Sequence, residues 1–128
     1  MNAMEDWRIG TDLEENQRFE RLLQKPSFFH GVYTPGEQAY LASLGPKRQS
    51  ASAAGLFCAK EAVAKALGVG LYGLLPREIE IFHSPAGEPQ VRLLGQAALR
   101  FPQVQLRVSI SHTKTLATAT ALARVRVR

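Results

Sequence analysis

Few residues of this sequence combine a chemically useful side chain with a spacing that could aim it. Glu61 and Lys65 stand four apart in an alanine-rich stretch, so they share one face of any helix formed there. Asp12 ends a run that reads as a strand, and a side chain at a sheet end can project from it. Carboxylates and an ammonium are the groups that hold charge or carry protons in a reaction. His112 follows Ser111 at the end of another expected strand, and Gly68-Val69-Gly70 places two glycines where backbone could approach a phosphate. Each also has a structural reading. Glu61 and Lys65 can be a surface ion pair worth about 0.2–0.5 kcal/mol, Asp12 a helix cap, His112 a histidine bonded to backbone, and the glycines a helix stop. Spacing alone leaves both readings open. No activated serine or cysteine nucleophile is evident, which argues against a covalent intermediate.

The elements that must position these residues follow from periodicity and punctuation. Residues 7–12 read as a short strand, and 13–24 carry Leu13, Phe19, Leu22 and Leu23 at roughly helical intervals, with Pro26 as the stop. Tyr33-Thr34-Pro35-Gly36-Glu37 is a helix start, with Thr34 as N-cap, Pro35 at the first helical position and Glu37 closing a capping box. That helix runs to about residue 44, where Gly45-Pro46 breaks the chain. The strongest helix signal spans about 48–67, closes at Gly68, and turns Ala54, Phe57, Cys58, Ala62 and Ala66 inward. Residues 68–73 form a glycine-punctuated loop, and 79–82 with 90–93 flank Pro85-Ala86-Gly87-Glu88-Pro89 as a hairpin. A short helix covers 95–100, and strands 104–111 and 115–122 surround Ser111-His112-Thr113-Lys114. Val125 and Val127 alternate with arginines as an exposed strand end would. The expected fold is a single α+β domain over residues 1–128, a small and mostly antiparallel sheet packed on one long helix.

Composition sets the outer bounds. With 128 residues, 45% of them hydrophobic, the chain can bury one core without disulfides or metal staples. The single cysteine, Cys58, lies between Phe57 and Ala59 as a buried thiol of a reducing compartment, so the expected location is cytoplasmic. Glu5 and Asp6 stand where a secretory signal would be basic, and Lys60, Glu61 and Lys65 interrupt the longest weakly polar stretch, so neither a signal peptide nor a membrane span is expected. A net charge of +5 favours an anionic partner without choosing one. Nucleic acid is disfavoured, because the basic residues are dispersed and the aromatics do not interleave with them as a stacking platform would.

Read together, several words of the sequence resemble one family. They are Ile9-Gly10-Thr11-Asp12 with Glu15 and Arg18, then Tyr33-Thr34-Pro35-Gly36-Glu37, Gly55, Phe57-Cys58-Ala59-Lys60-Glu61-Ala62, Lys65-Ala66-Leu67-Gly68, and Val108-Ser109-Ile110-Ser111-His112-Thr113-Lys114. In order and spacing, over nearly the whole chain, they are similar to the holo-acyl-carrier-protein synthase family of phosphopantetheinyl transferases. The resemblance implies transfer of the 4'-phosphopantetheine arm of coenzyme A to a serine of an apo-acyl carrier protein. It further implies an α+β protomer that forms a homotrimer, with each active site between two subunits. By position it assigns Mg2+ to Asp12 and Glu61, catalytic work to Asp12, Glu61 and Lys65, and contacts with the nucleotide or its phosphates to Lys47, Arg48, Gly68, Gly70, His112 and Thr113. Arg18, with Arg21 one turn along, matches a surface that docks an acidic carrier helix, which gives the positive net charge a steering role. Three positions depart from the family pattern: Leu56 replaces a common arginine, Val69 a threonine and Arg8 a glycine. They bear on affinity and carrier preference more than on the reaction. The rival readings are a member with narrowed or lost activity for a specialised carrier, and a non-catalytic basic module using Arg124, Arg126 and Arg128.

Overall fold

The computed structural model describes residues 4–127; Arg128 lies outside them. The chain opens with strand β1 (Met4–Glu15), followed by helices α1 (Arg18–Leu22), α2 (Pro26–Val32), α3 (Pro35–Ala42) and the long α4 (Pro46–Ala66). A helical turn α5 (Gly70–Gly73) and a 3-10 turn at Pro76–Glu78 lead to the hairpin β2 (Ile79–His83) and β3 (Pro89–Leu93). Helix α6 (Gly95–Arg100) and strands β4 (Gln105–His112) and β5 (Leu116–Val127) complete the order. All pairings are antiparallel, in a three-stranded sheet ordered β1-β5-β4 and a separate two-stranded sheet of β2 and β3. The expected α+β class and long helix are present, with the strands divided between two small sheets. Among the described residues no helix is long and apolar enough to cross a membrane.

Helix α4 lies on the larger sheet because both surfaces are small. Alternation along β5 turns Ala117, Ala119, Ala121 and Ala123 inward, all buried, and α4 answers with Ala59, Ala62 and Ala66. The backbones come so close that a Cβ on Gly10 would stand 2.1 Å from the Ala62 carbonyl oxygen and 2.8 Å from the Ala66 nitrogen. Those are rigid helix backbone atoms, so β1 or α4 would have to move. Gly10→Ala is expected to cost about 3 kcal/mol, at the upper end of ordinary overpacking. A thermal midpoint equal to that of the unaltered protein would refute this close approach.

Several local expectations change. Strand β1 does not end at Asp12: Leu13, Glu14 and Glu15 continue in register opposite Thr118, Ala117 and Leu116. Ladder bonds to β5 outweigh the helical spacing of the leucines, so Asp12 is not a helix cap and α1 covers only Arg18–Leu22. Pro26 starts α2 at a first-turn position where its missing N–H costs nothing, rather than only stopping a helix. Phe57 does not join the alanine face. It is half-buried on another side of α4, with ring centroids 5.5 Å from Phe19 and 6.1 Å from Phe28. Strand β5 runs on past residue 122, and residues 125–127 are its end as expected, paired with Met4–Asp6. The Thr34 capping box forms as expected, with Thr34 N donating to Glu37 Oε1 at 2.8 Å and Glu37 N to Thr34 Oγ1 at 3.2 Å. Gly68, at φ +81°, takes the left-handed turn after α4.

A buried polar network ties the smaller sheet to α4. Lys60, fully buried, gives its three donors to Glu37 Oε1 at 2.7 Å, the Pro76 carbonyl at 2.9 Å and the Ile79 carbonyl at 2.5 Å. Glu37 Oε2 accepts from the Ile81 N–H at 2.8 Å, and Thr34 Oγ1 donates to Glu80 Oε2 at 2.6 Å. Arg92 closes the network on Glu80 Oε1 at 2.6 Å. Burial pulls Lys60 below the ordinary lysine value, and the Glu37 carboxylate opposes that fall.

Candidate active site

Asp12 points inward from β1, opposite Ala119 on β5, with its side chain only 12% exposed. Lys65 reaches it from α4: Nζ donates to the Thr11 carbonyl at 2.9 Å and lies 3.5 Å from Asp12 Oδ1. One turn earlier on the same helix face, Glu61 is half-buried. Burial raises its pKa, the nearby Asp12 carboxylate raises it further, and Lys65 acts the other way. Two sequence-distant elements thus meet at Asp12, Glu61 and Lys65, because Gly10 and the alanines let α4 sit against β1.

Glu14 joins them. Two residues beyond Asp12 on a strand, it shares the same inner face. Burial first, then the neighbouring Asp12 carboxyl and the charge of Glu61, push its pKa up to about 7, with Arg18 pulling it down. Asp12 Oδ2 is buried without a hydrogen-bond partner. Three crowded acids and an orphaned carboxylate oxygen make a site short of positive charge, which fits a small hard cation. Among the described residues no three Asp, Glu, His or Cys side chains form a ready metal cage. Two carboxylates leaving room for waters and phosphate oxygens is the donor set Mg2+ accepts.

The raised values have a sign that can be tested. An acid that holds its proton more tightly when folded contributes stability below its ordinary value, here 4.5, and loses it as pH rises through its folded value, about 7 for Glu14. A dication removes that loss. Millimolar Mg2+ is therefore expected to raise the thermal midpoint more at pH 8 than at pH 5; equal shifts at both would contradict the electrostatic picture.

Cys58 lies beside this cluster. Burial and the Asp12 charge push its thiol up to about 12, and Sγ donates to the Ala117 carbonyl at 3.4 Å, so it stays a neutral thiol. No nucleophile arises here.

The other expected residues are spread along α4 and the strand ends. His112, at the end of β4, lines a cavity of about 150 Å³ together with Gly55, Leu56, Tyr40, His83 and Gly87. Gly55 is six residues before Glu61, roughly 9 Å along the helix axis. Lys47, in the first turn of α4, lines a groove with Lys114, Ser50 and Glu15. Arg48 is exposed on the same turn. Lys47 stands fourteen residues before Glu61, roughly 21 Å along the axis, so one protomer does not gather all these groups around Asp12. Gly70, at φ +59°, opens the turn α5. The Thr113 hydroxyl is engaged locally, accepting from Thr115 N at 3.3 Å and Leu116 N at 3.1 Å. Arg18 and Arg21 are exposed on α1, and Arg18 is ion-paired with Glu14.

Sequence reasoning missed Glu14, Tyr40 and His83. Continuing the strand past Asp12 would have placed Glu14 on its face. Nothing local signals that the rings of Tyr40 and His83 stack, with centroids 4.8 Å apart. Leu56, the departure from the family arginine, is buried at 2% exposure and forms part of the cavity wall.

This arrangement defines a small α+β protein that gathers acids and a lysine at the seam of helix and sheet, and comparison places it. The model of the 4'-phosphopantetheinyl transferase superfamily matches residues 8–121, and the chain belongs to that superfamily. It is 44% identical over 110 residues to a holo-[acyl-carrier-protein] synthase of Gloeobacter violaceus, covering 82% of this chain and 83% of that protein. A holo-[acyl-carrier-protein] synthase of Caldanaerobacter subterraneus is 38% identical over 109 residues, covering 82% and 84%. Among solved structures, a Bacillus anthracis holo-(acyl-carrier-protein) synthase in complex with CoA (3',5'-ADP) superposes with a TM-score of 0.80 at 28% identity, covering 92% of this chain and 96% of that one. Helicobacter pylori holo-[acyl-carrier-protein] synthase in complex with coenzyme A gives 0.76 at 32% identity, covering 93% and 99%.

Proposed function

We propose that this chain transfers the 4'-phosphopantetheine group of coenzyme A to a serine of an apo-acyl carrier protein, releasing adenosine 3',5'-bisphosphate. The observation that carries the reading is the meeting of Asp12 with Glu61 and Lys65 around an acid oxygen that has no protein partner. Asp12 and Glu61 would hold Mg2+, which when bound supplies positive charge against the pyrophosphate. The Lys65 ammonium, half-exposed beside Asp12, stabilises phosphate oxygens as charge moves onto the leaving group. The serine oxygen bonds to the phosphorus that carries the pantetheine arm. The bond from that phosphorus to the bridging oxygen breaks, and its electron pair leaves with the bisphosphate. Glu61 accepts the serine proton.

The cavity at His112, Gly55 and Leu56 is the nucleotide end of this reading, with Lys47, Arg48, Gly68, Gly70 and Thr113 as further contacts. Arg18 and Arg21 form the docking surface for the carrier's acidic helix. The sheet face turned away from α4 supports the homotrimer: Trp7, Ile9 and Leu13 are 59%, 70% and 62% exposed on β1, and Leu122 stands opposite Ile9. Ile9→Glu is expected to convert trimer to monomer in light scattering; an unaltered trimer would move the interface elsewhere.

Intact-mass spectrometry of several apo-carriers incubated with the chain, coenzyme A and Mg2+ tests the function. The expected result is the added phosphopantetheine on at least one carrier. No mass gain on any carrier would favour the member with lost activity.

A further inference from the structure

We propose that Glu14 is a positioning residue through which docking at Arg18 tunes the cation site. This rests on reading Asp12 and Glu61 as the cation ligands and Arg18 as part of the docking surface.

Glu14 stands between the two. Its side chain is 13% exposed, whereas that of its partner Arg18 is 58% exposed. Arg18 Nη1 donates to Glu14 Oε1, and Glu14, opposite buried Ala117, lies on the same inner face of β1 as Asp12, opposite buried Ala119. The turn that separates Glu14 from Arg18 is pinned: Asn16 N donates to the Thr115 carbonyl at 2.9 Å and Asn16 Nδ2 to the Thr113 carbonyl at 3.0 Å. Asp12 Oδ2 remains without a partner at the far end of this chain of contacts.

In the free protein the Arg18 guanidinium mutes the charge of Glu14. An acidic helix that draws Arg18 outward leaves that carboxylate uncompensated beside Asp12 and Glu61, and a dication held there gains a third neighbouring negative charge. By linkage, a bound dication strengthens docking by the same factor. Cation and carrier therefore favour each other's binding without sharing a ligand.

Mn2+ is the probe, titrated by electron paramagnetic resonance into the full chain without coenzyme A. The titration is run alone and with a saturating acyl carrier protein whose acceptor serine is alanine, its binding scored separately by fluorescence anisotropy. The unaltered chain is expected to bind Mn2+ about fivefold more tightly with carrier present, the low end of ordinary coupling. Glu14→Gln keeps an acceptor for Arg18 but no charge, and is expected to bind Mn2+ equally with and without carrier. Arg18→Gln is expected to bind Mn2+ about fivefold more tightly than the unaltered chain when carrier is absent. Bound carrier with unchanged Mn2+ affinity overturns the coupling, and coupling that persists in Glu14→Gln overturns the role of Glu14. No Mn2+ binding at all overturns the cation reading beneath it, and carrier binding unaffected by Arg18→Gln overturns the docking reading.

Discussion

Glu61→Gln is expected to lower phosphopantetheine transfer about 10²- to 10³-fold, roughly 3–4 kcal/mol of transition-state stabilisation. The substitution keeps the shape and one acceptor oxygen but deletes a charge facing Asp12 and Lys65. It removes both the second carboxylate for a dication and the acceptor for the serine proton. The fold should survive. Because burial and Asp12 raise the pKa of Glu61, its charge opposes folding near neutral pH when no cation is present. The thermal midpoint of cation-free Glu61→Gln is therefore expected to equal or exceed that of the parent while turnover collapses. Full turnover in that variant would remove Glu61 from the mechanism, and a collapsed midpoint would show that its role is structural.

Lys60, the neighbour of Glu61, has the opposite role. Lys60→Met leaves Glu37 buried without its counter-charge and strips a donor from the Pro76 and Ile79 carbonyls. Breaking one side of a buried pair costs about 3–5 kcal/mol. For a chain of this length that lowers the midpoint by roughly 10–20 °C. Glu37→Gln alone should cost a similar amount, since it removes the carboxylate that also accepts from the Thr34 and Ile81 N–H groups. Combining Lys60→Met with Glu37→Gln is expected to cost clearly less than the sum, because neither unpaired charge remains. Strict additivity would show that the two residues do not act as a pair. The loss should be visible in stability and hairpin order first, because the network anchors β2 and β3 rather than Asp12.

The two neighbours differ because α4 is enclosed on two sides. One side faces the alanines of β5, and another meets the 3-10 turn and β2. Sequence spacing located Glu61 and Lys65 on a common face, but gave no hint that the adjacent position turns into a second buried surface. Lys60 read only as a charge interrupting an apolar stretch. A buried lysine is legible only when its acceptors are known, and those come from Glu37, Pro76 and Ile79, far away in the chain.

Local chemistry carried the elements with strong punctuation. The capping box at Thr34, the alanine-rich helix closed by Gly68 and the hairpin around Pro85–Pro89 follow from caps, propensities and turn residues, each decided within a few positions. The same reasoning failed over residues 13–15, where helical spacing competed with pairing to a strand about a hundred residues later and the strand won, so the helix formed only over Arg18–Leu22.

The sequence by itself determined which side chains could handle phosphate, the α+β class and the family to which those words belong, because these depend on residue type, order and short-range spacing. Only the tertiary structure decided that Asp12 lies inside β1, that Glu14 shares its face, and that Lys65 reaches both Thr11 and Asp12. The cause is steric: Gly10 and an alanine stripe allow a helix and a strand to approach within backbone contact. That distance is a property of two surfaces, not of either segment alone.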